Sequence, residues 1–248
     1  MSTEDKKRRV VLFDMDGTLV PWDTQYVFAG YVVRKHPWRV MFLFYFLLHI
    51  PLYLLKFVSE EYMKRVFMSY LCGLSAEVVS KYGEEFARRL AEKAVFPEVL
   101  AELRAHLANG DECWLVSASP DFYVVPFARN LGFFHAIGTE VNLAVKMPIC
   151  PELIHGNNKG ERKVHHLQAL GVLPEEGGLI NSLAYSDSRA DLPMLKACER
   201  QVLVNPSEAL KTEFTKSNVK VLCPPLPWKN KSQKFLMILS FVMGMRSL

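Results

Sequence analysis

Cysteine is scarce in this sequence, and the few cysteines show no paired spacing. Five cysteines are scattered over 248 residues, an odd number without a CxxC pair. A disulfide framework and a cysteine-based zinc site are therefore not expected, and the pattern favours reduced thiols and a cytoplasmic setting. The basic N-terminus also lacks an apolar segment and a cleavage site, so it is not predicted to be an export signal.

A strong excess of charge of one sign is also lacking. The formal net charge is +4, with 23% charged and 50% hydrophobic residues, which is typical of a folded globular protein. Basic residues cluster at positions 6–9 and again at Lys229, Lys231 and Lys234, but no basic stripe is interleaved with aromatic residues. A nucleic-acid partner is therefore not expected, whereas basic clusters beside apolar segments can contact anionic lipid.

Short apolar runs alternate with helical patterns over most of the chain. The predicted strands are Val10–Phe13, Cys113–Val116, Leu183–Tyr185, Val202–Val204 and Val219–Leu222. Helical patterns such as 98–108 and 162–170 lie between them. Strands separated by helices predict an α/β fold with a parallel sheet covered on both faces, and the active site of such a sheet lies at the carboxyl ends of the strands.

Residues 22–90 interrupt this alternation, because they show no strand pattern and are predicted to form an inserted helical cap. Within them, the segment 40–55 (VMFLFYFLLHIPLYLL) is apolar except at His49 and Pro51. This segment is shorter than the roughly 20 residues that span a bilayer and longer than an ordinary buried run. Pro51 is expected to kink or break it. Contact with a membrane is favoured over a buried cap helix or an oligomer interface.

The C-terminal part of the chain has a similar character. Residues 1–21 and 91–223 are predicted to form the core domain, followed by a proline-rich linker and an apolar tail over residues 224–248. The mostly apolar stretch 235–245 is too short to span a membrane. Two interpretations are open, a helix lying in the membrane interface or a terminal helix docked on the core.

The first predicted strand ends in two acidic residues. In VVLFDMDGTLV, Asp14 ends the strand, Asp16 follows two places later, and Gly17 and Thr18 form a turn. Side chains do not alternate through a tight turn, so both carboxylates can crowd one spot. Crowded carboxylates repel each other unless a cation or a proton separates them, which suits a nucleophile, a proton donor and part of a Mg²⁺ site. The same residues are also common in plain turns and calcium loops.

Small hydroxyl residues follow a second strand. The run CWLV is followed by Ser117, Ala118, Ser119 and Pro120. Ser119 is predicted to be a helix N-cap and Pro120 the first helical residue. Free N–H groups at such a helix start attract an anion, and the Ser117 hydroxyl adds a donor. The alternative is an ordinary strand–helix turn without a ligand.

Two later segments add a lysine and a second acidic pair. Lys163 lies near the start of a helical pattern, where it would balance the charge of carboxylates and a phosphate, and Lys159 is the competing candidate. Asp187 follows another strand and can reach a metal bound by Asp14, with Asp191 as support. The alternative for this acidic segment is an N-cap for the following helix.

In this order, the four segments resemble the four motifs of the haloacid dehalogenase-like phosphatases. DMDGT matches the first motif, LVSAS the second, the lysine region the third and SDSRAD the fourth. The helical insert resembles the C1 cap of subfamily IB, which contains phosphoserine phosphatase. The membrane-like start of the cap, LVSASPDF and YSDSRADLPML are similar to the branch that includes phosphatidylglycerophosphatase C. The resemblance covers about residues 8–210.

The resemblance implies a Rossmann-like parallel sheet with an inserted C1 cap and a Mg²⁺-dependent phosphatase. The implied nucleophile is Asp14 and the implied general acid/base is Asp16. The implied phosphate-binding residues are Ser117, Ala118, Ser119 and Lys163. The implied metal-binding residues are Asp14, Asp16 through its backbone carbonyl, Asp187 and the supporting Asp191.

The apolar cap segment directs the choice of substrate. A lipid phosphate such as phosphatidylglycerophosphate is favoured, hydrolysed at the cytoplasmic side of the inner membrane by a peripheral or single-segment protein. The alternative is a soluble cytoplasmic phosphatase for a small metabolite such as phosphoserine, whose charged groups need partners in the cap. The cap residues available for this are Arg34, Glu60, Glu61 and Arg65. A regulatory protein that keeps the fold without catalysis is disfavoured by the intact set of aspartates.

Overall fold

Six parallel strands form a central sheet in the computed structural model, which describes residues 8–214 and 219–248. The strands are β1 (Val10–Phe13), β2 (Glu112–Pro120), β3 (His135–Thr139), β4 (Leu179–Ser186), β5 (Cys198–Val204) and β6 (Lys220–Leu222). Their order across the sheet is β3-β2-β1-β4-β5-β6, and all pairings are parallel. The predicted α/β fold with a parallel sheet is confirmed. Lys6 and Lys7 of the N-terminal basic cluster lie outside the described residues.

The sequence pattern located five of these strands and missed one. Each predicted run lies within or overlaps an observed strand, and the first matches β1 at both ends. The missed strand β3 reads HAIGT, lies at the sheet edge and pairs with β2 alone. An edge strand with a polar start needs no continuous apolar run, so its sequence carries little strand signal.

Ten α-helices surround the sheet in the described part of the chain. They are α1 (Thr24–Lys35), α2 (Met41–Leu54), α3 (Glu60–Phe67), α4 (Ala76–Lys93), α5 (Pro97–Ala108), α6 (Asp121–Leu131), α7 (Glu161–Ala169), α8 (Leu192–Ala197), α9 (Glu208–Thr212) and α10 (Lys231–Val242). Short 3₁₀ turns occupy Pro37–Val40, Met68–Leu71 and Arg189–Asp191.

Apolar clusters cover both faces of the sheet. Side chains alternate along a strand, and accordingly Val11 and Phe13 of β1 join one cluster while Leu12 joins the other. Phe13 lies in register with Leu115 on β2 and Tyr185 on β4. The carboxyl ends of the three central strands therefore meet at one edge, which brings the segments after them together.

The residues between β1 and β2 are helical, as the sequence predicted. Helices α1 to α5 lie there, and the described residues 24–93 contain no strand. Helix α4 continues to Lys93, three residues beyond the predicted end of the cap. It packs closely on α6 of the core, because a Cβ built on Gly83 would lie 2.1 Å from the Phe122 carbonyl oxygen. The division into core, cap and tail stays a prediction.

The apolar segment forms helix α2, and of the expected kink or break at Pro51 the break is not observed. Pro51 does not break the helix, which continues to Leu54. Proline lacks the N–H that would donate to the Leu47 carbonyl oxygen, and α2 ends three residues after it, at Leu54. None of the α2 residues, all of which the structure describes, is buried, so α2 is not a buried cap helix within this chain. Pro37–Leu54 is one apolar stretch whose length and composition would allow it to cross a membrane.

The C-terminal helix α10 docks on α1. A Cβ built on Gly30 of α1 would lie 1.7 Å from the Phe241 carbonyl oxygen, so only glycine permits this approach. The preceding proline-rich stretch also contacts the body of the protein, because the Trp228 and Trp22 ring centroids are 5.3 Å apart. Phe235 and Leu236 remain exposed on the other side of the helix.

Candidate active site

Asp14 lies directly after β1, at the edge where the central strands end. Its side chain is buried, and its backbone N–H donates to the Tyr185 carbonyl oxygen at 3.0 Å. Lys163 Nζ donates to Asp14 Oδ1 at 2.6 Å, and Thr18 Oγ1 lies 3.1 Å from Asp14 Oδ2. The pKa of Asp14 is raised to about 7. Burial is the main cause; the charge of Lys163 lowers the pKa and the charge of Asp191 adds to the rise.

Asp16 is held by a separate set of partners. The Thr24 backbone N–H donates to Asp16 Oδ1 at 2.8 Å, and Ser119 Oγ donates to Asp16 Oδ2 at 2.5 Å. Desolvation, followed by the charge of Asp23, raises the pKa of Asp16 to about 6. A carboxyl group with a pKa near neutrality can both give and take a proton, as a general acid/base must.

The structure separates the two candidate lysines. Lys163, in the first turn of α7, is buried and contacts Asp14 Oδ1 at 2.6 Å and Asp191 Oδ1 at 2.8 Å. Burial would lower the pKa of Lys163, but the charges of these two carboxylates outweigh it and the pKa is raised. Lys159 is exposed and forms an ion pair with Glu60 of α3. Only Lys163 therefore lies with the acidic residues at the strand ends.

The two acids after β4 have different surroundings. Asp187 Oδ1 lies 3.3 Å from Thr18 Oγ1, and the Asp187 backbone N–H donates to Thr18 Oγ1 at 3.0 Å. Desolvation, then the charges of Asp14 and Asp191, raises the pKa of Asp187 to about 8. Asp191 is buried, pairs with Lys163 and accepts a hydrogen bond from Ser186 Oγ at 2.7 Å. Asp191 also stands at the N-cap position of α8, as the alternative interpretation expected, but its side chain accepts no hydrogen bond from the first turn of that helix.

These groups fit a Mg²⁺ site with few protein ligands. Asp14 and Asp187 each place a carboxylate oxygen within 3.3 Å of Thr18 Oγ1, and desolvation raises the pKa of both groups. The Asp16 carboxylate is bound by Thr24 and Ser119, so the group of Asp16 that is left to coordinate Mg²⁺ is its backbone carbonyl oxygen. Across residues 8–214 and 219–248, no group of three or more His, Cys, Asp or Glu side chains is arranged to hold a metal. Two carboxylates completed by carbonyl and water oxygens suit Mg²⁺.

Glycine at position 17 is required by this arrangement. Gly17 has a φ of +83°, a backbone conformation that glycine adopts without strain. A Cβ built there would lie 2.2 Å from Asp187 Oδ2. The turn in DMDGT therefore brings the Gly17 backbone directly against the Asp187 carboxylate.

The segment after β2 differs from its prediction. Strand β2 extends to Pro120 and α6 begins at Asp121, so Ser119 is not the helix N-cap and Pro120 is not the first helical residue. The Ser119 backbone N–H donates to Ser117 Oγ at 3.0 Å, and its hydroxyl donates to Asp16. Pairing with β3 resumes at Pro120 after an irregularity, which keeps this segment extended. The roles of Ser117, Ala118 and Ser119 in phosphate binding stay predictions.

Several residues of the site were missed by sequence reasoning. Thr18 joins Asp14 to Asp187, and its place in DMDGT was a usable signal. Thr24 holds Asp16. Lys64 reaches the site from α3 and donates to the Ala118 carbonyl oxygen, to Thr139 Oγ1 at 3.0 Å and to Asn157 Oδ1 at 2.6 Å. No local spacing identifies Lys64, because only the folded cap brings it there.

A cavity of about 600 Å³ opens above these residues. Its lining includes Asp14, Asp16, Lys163 and Lys64, which makes this part of the cavity charged. Helix α2 contributes an apolar wall to the same cavity, formed by Phe46, Ile50, Tyr53 and Leu54. The spacing of these four residues places them on one helical face. The outer face of α2 carries Phe44 and Leu48, and Leu48 is 74% exposed.

Comparison with known proteins agrees with this geometry. Residues 11–196 match the family model of haloacid dehalogenase-like hydrolases. The chain is 29% identical to a putative hydrolase of Mycobacterium leprae over 60% of this chain and 49% of that protein. It is 27% identical to a phosphoserine phosphatase of Mycobacterium tuberculosis over 81% of this chain and 66% of that protein. It thus spans about half to two thirds of the length of these curated relatives.

Solved structures share the fold. A Bordetella pertussis protein of unknown function superposes with a TM-score of 0.67 at 27% identity, over 87% of this chain and 98% of that one. A substrate-bound phosphoserine phosphatase superposes with a TM-score of 0.56 at 18% identity, over 96% of this chain and 100% of that one. The second likeness shows the fold alone.

Proposed function

Because this chain belongs to the haloacid dehalogenase-like hydrolase family, we propose that it is a Mg²⁺-dependent phosphomonoester hydrolase acting through an aspartyl-phosphate intermediate. The observation that carries this proposal is the buried Asp14 carboxylate, held by Lys163 and Thr18 beside the separately held Asp16. A relative named as a phosphoserine phosphatase and one named as a histidinol-phosphatase, the latter from Neisseria meningitidis, support it.

The proposed reaction has two steps. A carboxylate oxygen of Asp14 forms a bond to phosphorus, the bond from phosphorus to the alcohol oxygen breaks, and protonated Asp16 gives its proton to the leaving alcohol. Asp16 then takes a proton from water, whose oxygen attacks phosphorus and releases Asp14 and inorganic phosphate. Lys163 holds Asp14 in place during both steps. When bound at Asp14 and Asp187, Mg²⁺ supplies positive charge to the phosphate oxygens.

A membrane lipid phosphate, such as phosphatidylglycerophosphate, is the proposed substrate. Support comes from α2, whose inner face lines the catalytic cavity with Phe46 and Ile50 while its outer face exposes Phe44 and Leu48. Exposed apolar side chains on one face of a helix are typical of a surface that contacts lipid or another protein. We propose that an acyl chain lies along α2 with the phosphate toward Asp14, because both line the same cavity.

A soluble small-metabolite phosphatase is the alternative, and the names of the relatives favour it. An amino-acid phosphate needs a charged pair in the cap. The candidates are already engaged: Arg34 with the Arg246 carbonyl oxygen, Glu60 with Lys159, Glu61 with Arg162, and Arg65 with the Pro151 carbonyl oxygen. The engagement of these four residues is a second reason, beside the apolar face of α2, for preferring the lipid phosphate.

A substrate panel tests the reaction and the substrate class. Purified protein should hydrolyse phosphatidylglycerophosphate in detergent micelles with Mg²⁺ and lose this activity in EDTA, and it should turn over phosphoserine far more slowly. Asp14→Asn should abolish turnover of every substrate. Full activity of this variant would contradict the nucleophile, and faster hydrolysis of phosphoserine would favour the soluble alternative.

The proposed location at the cytoplasmic side of the inner membrane has its own test. The protein should pellet with membranes and be released by detergent. Leu48→Glu on the outer face of α2 should reduce flotation with anionic vesicles, whereas Leu170→Glu, at an exposed position beside α7, should not. A wholly soluble wild-type protein would contradict the membrane location while leaving the phosphatase proposal intact.

A further inference from the structure

Three lysines line the catalytic cavity within the described part of the chain: Lys64, Lys159 and Lys163. Two of them are neutralised by direct contact with carboxylates, Lys163 by Asp14 and Asp191 and Lys159 by Glu60. Lys64 forms no ion pair with a carboxylate of the described residues. Its charge is thus the one lysine charge in this lining without an acidic partner in contact.

The three donors of the Lys64 ammonium are satisfied by neutral groups. They are the Ala118 carbonyl oxygen, Thr139 Oγ1 at 3.0 Å and Asn157 Oδ1 at 2.6 Å. An ammonium has three donors, so these contacts position it without cancelling its charge, and an anionic oxygen that binds Lys64 takes the place of one of the neutral acceptors. Such a contact set costs solvation free energy that a bound anion would offset.

Lys64 remains charged at neutral pH despite this environment. Desolvation lowers the pKa of Lys64 to about 8, opposed by the charges of Asp23, Asp16 and Glu60, which act without direct contact. A lysine with this pKa is mostly protonated at pH 7. The cavity therefore contains a positioned cation that the acidic residues around it leave available.

The contacts also indicate which side of the substrate Lys64 meets. Ala118, which Lys64 holds, immediately precedes Ser119, and Ser119 Oγ donates to Asp16 Oδ2. In the proposed reaction Asp16 gives its proton to the leaving alcohol, whereas Lys163 lies with Asp14 at the phosphorus. Lys64 is thus joined, through Ala118 and Ser119, to the acid that serves the leaving alcohol.

We propose that Lys64 binds a second anionic group, carried by the leaving alcohol of the substrate. This inference rests on the proposed phosphomonoesterase activity, but not on the proposed lipid substrate. A phosphodiester and a carboxylate are both anionic oxygen acceptors that an ammonium can bind. A phosphodiester is the second anion in a glycerophospholipid head, and a carboxylate is the second anion in a phosphorylated small acid.

Three water-soluble substrates test this role without acyl chains. Glycerol 3-phosphate has no second anion, 3-phosphoglycerate has a carboxylate, and glycerophosphoglycerol phosphate has a phosphodiester. For the wild type, kcat/KM with Mg²⁺ should be at least tenfold higher on one of the last two than on glycerol 3-phosphate. Lys64→Met should reduce this preference by about 10- to 100-fold. Lys64→Arg, which keeps the charge, should restore part of it.

Lys159→Met is the matched control, because it also removes a lysine charge from the cavity lining but takes it out of an ion pair. The substrate preference should survive this change. An equal loss on all three substrates in Lys64→Met would overturn the proposal, since a lysine that only joins cap to core affects every substrate alike. Absence of any preference in the wild type would overturn it as well.

Binding without turnover separates this proposal from the proposed function. Calorimetric titration in EDTA measures the affinity of the full-length wild type and of Lys64→Met for the same three compounds. A loss of affinity in Lys64→Met that is confined to the compounds with a second anion supports the Lys64 site, even if no compound is hydrolysed. The absence of hydrolysis would contradict the phosphatase proposal alone. Equal affinities in both proteins would overturn the Lys64 site alone.

Discussion

The Lys163 ammonium lies 2.6 Å from Asp14 Oδ1 and 2.8 Å from Asp191 Oδ1, and the Lys163 side chain is only 2% exposed. Four residues earlier, the Lys159 ammonium contacts Glu60, and both of those side chains are about half exposed. Changing each lysine to methionine removes the same charge from two different environments. We expect Lys163→Met to lower both the free energy of unfolding and the turnover number, and Lys159→Met to change the free energy of unfolding little.

The magnitudes follow from burial. Removing one partner from a buried ion pair leaves an uncompensated charge and costs about 3–5 kcal/mol. An exposed pair contributes about 0–1 kcal/mol, because water and salt screen it. The pKa of Asp14 is about 7 even with Lys163 present, so Asp14 can take up a proton when the ammonium is removed. The loss in Lys163→Met should therefore be smaller at pH 6 than at pH 8.

Urea unfolding in EDTA at these two pH values measures the effect. Asp191→Asn and the double variant with Lys163→Met complete a double-mutant cycle, whose coupling free energy should exceed 1 kcal/mol in magnitude. Equal destabilisation by Lys159→Met and Lys163→Met would refute the reasoning from burial. A loss for Lys163→Met that shrinks from pH 6 to pH 8 would refute the proton uptake.

Three further predictions concern the metal site and the C-terminal helix. Gly17→Ala should raise the Mg²⁺ concentration for half-maximal activity at least tenfold, because the added Cβ would lie 2.2 Å from Asp187 Oδ2. The control is Gly73→Ala, which is also at positive φ but in open space and should leave this Mg²⁺ concentration unchanged. The pKa of Asp187 is raised to about 8, so the metal-free protein should lose stability as the pH rises from about 4 through 8, and bound Mg²⁺ should restore that stability. The increase in melting temperature on adding Mg²⁺ should therefore be larger at pH 8 than at pH 6. This increase should be lost in Asp187→Asn. Gly30→Ala should destabilise the protein by about 1–3 kcal/mol and expose the tail to trypsin, because its Cβ would overlap the Phe241 carbonyl oxygen; an unchanged digestion pattern would contradict this docking.

The strands that sequence patterns located are those that carry a clear physical signal. The run Val10–Phe13 is buried and apolar, and β1 has the same bounds. The edge strand His135–Thr139 is half exposed and was missed. The helix start at Ser119 was wrong because the strand stays extended to Pro120, where it pairs again with β3. Pro51 was expected to kink or break α2, but the helix continues three residues past it to Leu54.

The membrane question shows a different limit. The apolar character of residues 40–55 is visible in the sequence, and so is its ambiguity between burial and exposure. Hydropathy describes the side chains but not what surrounds them. The fold shows that Phe46 and Ile50 line the catalytic cavity while Leu48 faces outward.

By itself, the sequence determined the family, the parallel sheet and the position of Asp14, Asp16 and Asp187 at strand ends. It could do so because parallel strands end at the same edge, so local motifs in the right order are brought together by topology alone. Tertiary structure placed Lys163 in contact with Asp14 and Lys159 in contact with Glu60, and it alone brought Lys64 to Ala118, 54 residues away in the chain. Burial and contact across such separations depend on how helices pack, which no local spacing encodes.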